Sequence, residues 1–208
     1  MLLQKDSIIL IGPLGTGKSH FARTISDLTG IKNYPIDKLK WYYRFKNGYD
    51  LNESTEILKR GGFGDLINYS RQFFGFNELQ KILNNFHGII DLGASDTHVS
   101  DYKTFEYLQR LFSKFSNVFL ILPYEDDEKS IELLRSRLIE RYQNDRQKAP
   151  VIDTYLKLNE QFIRPESNRR LAKHIIYSND RKENEVALEI IQKSKLYNIN
   201  NKMYYKDL

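Results

Sequence analysis

The stretch Gly12-Pro13-Leu14-Gly15-Thr16-Gly17-Lys18-Ser19 fits the spacing G-x-x-x-x-G-K-[ST] at every fixed position. Those residue types suit one task, holding a chain of phosphates. Glycines let backbone N–H groups turn inward without a Cβ in the way. Lys18 brings a flexible positive charge to the β- and γ-phosphates, and Ser19 offers its hydroxyl to Mg2+. A helix that opens here aims its positive end at the anion. Nucleotide contacts are therefore expected from Gly12, Pro13, Leu14, Gly15, Thr16, Gly17, Lys18, Ser19 and His20.

A phosphate site of this kind needs an acidic residue at the end of a neighbouring buried strand. Asp91, in Ile90-Asp91-Leu92-Gly93, fits as a Mg2+ ligand beside Ser19, although an aspartate there could also cap a turn. Phosphoryl transfer spreads negative charge over the equatorial oxygens, and arginines stabilise it. Arg137 and Arg141 stand four apart, share a helix face and are the chosen catalytic pair, with Arg169 in reserve. Their alternative is a solvated face paired with Glu132 and Glu140. Trp41, Tyr42 and Tyr43 could stack on a planar ligand or pack into the core, and His98 reads as a loop residue.

The elements that must position these residues alternate. Ser7 to Ile11, Ile89 to Leu92, Val118 to Leu122 and His174 to Tyr177 are short apolar runs, as expected of strands buried on both faces. Between them, Lys18 to Leu28, a stripe from Phe76 to Phe86, another from Phe105 to Phe115 and a long helix through Ile131, Leu134 and Leu138 have helical spacing. Asn179 or Asp180 is the expected cap of a last helix carrying Val186 and Ile190. The pattern predicts a three-layer α/β domain, a mostly parallel sheet with helices on both faces. Residues 38–75 are aromatic, glycine-containing and hard to phase, and read as an insertion. Residues 141–170, polar and interrupted by Pro150 and Pro165, read as a lid with a helical fragment through Tyr155, Leu158 and Phe162. The domain is expected to span 1–194, followed by a polar tail from 195 to 208.

The totals exclude several classes. With 208 residues the chain has room for a single domain, and its net charge of +5 is too mild for the basic stripe of a nucleic-acid binder. It has no cysteine, and its four histidines form no i,i+4 pair, so thiolate and histidine metal sites are not expected. No apolar run reaches the roughly 20 residues that span a bilayer, and no signal peptide is visible. A cytoplasmic protein with no membrane or nucleic-acid partner, monomeric or dimeric, is expected.

The phosphate loop, Asp37 shortly after the first helix, the Ile89-to-Ala94 strand and turn, and the arginine-rich excursion resemble the shikimate kinase group, small P-loop kinases of the nucleoside monophosphate kinase fold. The resemblance runs loosely from Ser7 to Ile191, and only the loop is highly specific. It implies a P-loop NTPase fold, ATP held between loop and lid, and transfer of the γ-phosphate to a hydroxyl of a small acceptor. It implies that Asp37 contacts that hydroxyl and that Gly93 and Ala94 line the acceptor turn. Asp37 could instead cap the segment that follows it. Departures concentrate on the acceptor side. Pro35 replaces the first aspartate of the family's D-x-D, and Gly75 stands where its F-R-x-x-E has the arginine that grips shikimate. The acceptor is therefore expected to be a hydroxylated small molecule other than shikimate, with Arg44 and Arg71 available to replace that arginine. A nucleotide or nucleoside kinase and a regulatory NTPase without an acceptor are the other readings, the latter lacking a guanine-reading N-K-x-D stretch.

Overall fold

The structure, a computed structural model, describes residues 4–97, 99, 101–145, 152–164 and 166–194. The expectations for His98, Pro150, Pro165 and the tail 195–208 lie outside the described residues. Five strands form one sheet in the order β2-β3-β1-β4-β5, and every pairing is parallel. The strands are β1 (Ile8–Ile11), β2 (Asn33–Pro35), β3 (Ile89–Asp91), β4 (Asn117–Leu122) and β5 (His174–Tyr177).

Strand alternation divides the core into two layers, because successive side chains point to opposite faces. Ile9 and Ile11 of β1 join Ile90, Val118 and Leu120 on one face. There they meet α4 (Phe76–Asn85) through Leu79, Ile82 and Leu83, and α5 (Tyr102–Phe112) through Phe105 and Leu108. Ile8 and Leu10 point the other way with Phe119 and Ile121. They pack on Phe21 and Ile25 of α1 (Lys18–Thr29) and on Val186 and Ile190 of α9 (Glu183–Lys193). This is the expected three-layer arrangement, and all of β1 and β4 is buried.

The segment that resisted phasing is helical. It forms α2 (Ile36–Lys46) and α3 (Leu51–Phe73), and α3 kinks at Gly62, whose φ is 77°. Asp50 starts α3 by accepting hydrogen bonds from the N–H groups of Asn52 and Glu53, at 2.6 and 3.1 Å. The excursion is also helical, as α7 (Ile152–Ile163) and α8 (Glu166–Leu171), following α6 (Asp127–Tyr142). The cap expected at Asn179 or Asp180 lies instead at Lys182, whose N–H donates to the Glu185 carboxylate. Asn179 is engaged elsewhere, and Asp180 sits at φ 59° in the preceding turn.

Candidate functional site

The phosphate loop joins β1, at the centre of the sheet, to α1. Gly12 is held at φ 139°, and a Cβ there would stand 2.5 Å from the Ile121 carbonyl oxygen. The glycine lets the loop leave β1 pressed against the end of β4. Lys18 is buried and its Nζ donates to the carbonyls of Gly12 and Pro13, at 2.8 and 2.7 Å. The Thr16 hydroxyl donates to the Pro13 carbonyl at 3.1 Å. His20, grouped with the nucleotide contacts from sequence, turns its ring onto Glu183 of α9.

Asp91 ends β3 in register with Leu10 of β1, so the adjacent strands bring it under the loop. Its side chain accepts a hydrogen bond from Ser19. Burial pushes the Asp91 carboxyl above its ordinary range, with Lys18 and then Ser19 opposing. Burial likewise lowers the Lys18 pKa, and Asp91, Asp37 and Asp96 push it back up. A hydroxyl and a carboxylate are hard oxygen donors, so this pair fits Mg2+ in the arrangement where phosphates complete the coordination. Among the described residues, no group of three or more histidine, cysteine, aspartate or glutamate side chains forms a metal cage.

Asp37 lies in the first turn of α2, and Pro35 occupies the cap position, so the capping alternative for Asp37 does not hold. Its neighbour is Lys40, one turn on, a residue sequence reasoning did not single out. Only 3% of the Lys40 side chain is exposed; it ion-pairs with Asp96 and, at 3.1 Å, with Asp37. The Asp96 carboxylate also accepts the Gly93 N–H at 2.9 Å. A Cβ on Gly93 would fall 2.3 Å from Asp37 Oδ1 and 2.7 Å from Lys40 Nζ, which explains why the turn keeps this one glycine. Burial alone would raise the Asp37 carboxyl, but Lys40, then Lys18 and Arg44, hold it below its ordinary value. Asp96 is driven up by burial, with Lys40 opposing. Asp37, Gly93 and Asp91 thus converge with Lys18, and Ala94 is buried in the turn beside them.

The arginines separate. Arg137 donates to the Gly15 carbonyl at 3.3 Å and to Asn179 at 3.2 Å, directly against the phosphate loop. Arg141 is exposed, its guanidinium 5.3 Å from the Tyr142 ring centroid, so the shared helix face does not bring both to the loop. Arg169 pairs with Asp127 and Arg164 with Glu128, rather than either with Glu132 or Glu140. The excursion reaches the loop by another residue. Buried Asn159 of α7 accepts the Leu14 N–H at 2.7 Å and donates to the Leu14 carbonyl at 3.1 Å.

Beside this cluster, α2, α3 and α4 enclose a cleft of about 780 Å3. Asp96 and Ser95 line it on the side of the phosphate loop, and Arg44 and Arg71 also line it. Gly75, at the expected arginine position, caps α4 here, its N–H donating to Glu78 at 3.0 Å. Trp41 and Tyr42 are exposed rather than core residues, while half-buried Tyr43 packs on Phe74.

This geometry defines a P-loop fold with a nucleotide-type phosphate loop at the carboxyl edge of a parallel sheet. Within that class the chain resembles shikimate kinases. The enzyme from Acinetobacter baumannii, solved in complex with shikimate, aligns with a TM-score of 0.57 and 19% identity over 89% of this chain and 90% of its own. The Bacteroides thetaiotaomicron enzyme gives 0.51 and 14%, covering 89% and 96%, and the Aquifex aeolicus enzyme 0.51 and 18%, covering 90% and 95%. At these identities the likeness is one of fold. No protein-family model matches the sequence, and no curated protein matches it.

Proposed function

We propose that the protein is an ATP-dependent phosphotransferase that moves the γ-phosphate to a hydroxyl of a small molecule other than shikimate, acting in the cytoplasm. The observation that carries this reading is the buried Lys18 ammonium, set among Asp91, Asp37 and Asp96 where the phosphate loop meets the cleft. The backbone of Gly12 to Ser19 cradles the phosphates, and Lys18 follows the charge on the γ-phosphoryl group. Ser19 and Asp91 would hold Mg2+, which supplies charge neutralisation between the phosphates. Asp37 orients the acceptor hydroxyl; its oxygen bonds to the γ-phosphorus, the bond to the β-phosphate oxygen breaks, ADP leaves, and the proton passes through Asp37 to solvent. Arg137 meets the charge developing beside Gly15, and α7 and α8 serve as the lid, bringing Arg141 in on closure.

The test is ADP release from ATP and Mg2+ with pooled hydroxylated metabolites. Acceptor-dependent release is expected, and Lys18→Ala should abolish it while the circular-dichroism spectrum stays native. Nucleotide uptake without acceptor-dependent release would favour a regulatory NTPase. Shikimate should turn over well below roughly 10⁴ M⁻¹s⁻¹, the lower end for dedicated enzymes; a value at or above it contradicts the assignment of a different acceptor.

A further inference from the structure

We propose that the cleft between α2, α3 and α4 takes an acceptor that already carries a phosphate monoester, gripped by the guanidinium edges of Arg44 and Arg71, with its ring against the aromatic wall. The inference rests on the kinase reading and names the class of its acceptor. Both arginines lie over rings. The Arg44 guanidinium stands 5.2 Å from the Trp41 centroid and 5.6 Å from Tyr49, and that of Arg71 stands 4.7 Å from Phe76. A guanidinium laid on a ring presents its in-plane N–H fork, the geometry that matches an oxyanion. Arg44 Nε is buried and has no hydrogen-bond partner among the described residues, a donor whose desolvation an incoming oxygen would offset.

Charge selects phosphate over carboxylate. The described lining carries Arg44, Lys59 and Arg71 against a single acid, Asp96, and Asp96 is already paired with Lys40. One carboxylate would offset little of that surplus, whereas a phosphate monoester brings about −1.5 to −2 at neutral pH. Burial weighs on the Arg71 charge and lowers its pKa, with Asp96 and Asp101 opposing, so a dianion beside it would be favourable. Tyr49, Phe74 and Tyr155 add flat apolar surface, which suits a ring between the anionic end and the hydroxyl. Asp96 and Ser95 lie on the reacting side, so the hydroxyl would point toward Asp37 and the phosphate away from it.

Trp41 is the only tryptophan of the chain and lines this cleft, so its fluorescence reports on it. With ADP and Mg2+ saturating the phosphate loop, phenyl phosphate, benzoate and phenol are titrated in, with calorimetry in parallel for the Arg44 variants. Phenyl phosphate should bind tightest and phenol weakest. Arg71→Met and Arg44→Met should each weaken phenyl phosphate roughly 10- to 100-fold with ADP affinity unchanged. Arg44→Lys and Arg71→Lys, which keep the charge without the fork, should fall between and serve if a methionine variant does not fold. Benzoate or phenol binding as tightly as phenyl phosphate overturns the proposal, as do variants that bind it like the parent. Failure of the parent to take up ADP would instead count against the kinase reading.

Discussion

A lysine ammonium with a few per cent of its surface exposed needs counter-charges, and Lys40 has Asp96 and Asp37. Its effect on Asp37 fixes the direction of a pH test. Lys40 holds the Asp37 carboxyl below its ordinary value, so removing it lets that pKa rise. Asp37 is needed ionised, so the acid-side fall of turnover should move to higher pH in Lys40→Met. The variant leaves Asp96 buried and unpaired, at a cost on the order of 3–5 kcal/mol. Adding Asp96→Asn should recover part of that stability and none of the pH shift. A pH profile of Lys40→Met that overlays the parent would remove Lys40 from the mechanism. Lys18, Ser19, Asp91, Asp37 and Gly93 were legible because a motif or a strand end marks them. Lys40 and Asp96 were not, because a lysine in Asp37-Lys38-Leu39-Lys40 reads as solvated helix surface, and only the approach of the Gly93 turn buries it.

At the scale of elements, the excursion is tied to the site by a helix side chain. Asn159 meets both backbone groups of Leu14, as a neighbouring strand would. Leu14 itself packs against Ile67 and Leu158 on one side and Leu138 and Leu156 on the other. Asn159→Ala removes both hydrogen bonds at a buried site and should cost roughly 1–3 kcal/mol. The loss should appear first as faster proteolysis within 141–170, before global unfolding. Cleavage there at the parent rate would show that α7 is held by its apolar contacts alone. The stripe Tyr155, Leu158, Phe162 made α7 readable, but nothing in the sequence said that its asparagine faces the phosphate loop. In α2 and α3 aromatic density hid the period, and Gly61, Gly62 and Gly64 suggested a loop where the chain only kinks.

Over the whole molecule, stability and chemistry sit on different residues. Leu108 is fully buried between α5 and the sheet, far from any charge in the site, and Leu108→Ala should cost about 2–5 kcal/mol. Urea titration should show that loss, and show none in Lys18→Ala; equal losses in both would mean the site and the core are not separable. The buried strands were legible as apolar runs, since both their faces are covered. β2 was not, because Asn33-Tyr34-Pro35 is short, polar and at the sheet edge. Strand order was also out of reach, being set by crossovers that leave no local mark. That order governs how the chain is born. β1 carries the phosphate loop yet aligns Ile8 with Ile89 and Asn117, residues that leave the ribosome long after it. Parallel partners so distant in sequence close slowly. Until β4 emerges, Gly12 has no Ile121 carbonyl to rest against, so a nascent chain that has completed its nucleotide motif still lacks the strand that shapes it, and nucleotide capture marks the end of folding rather than its beginning.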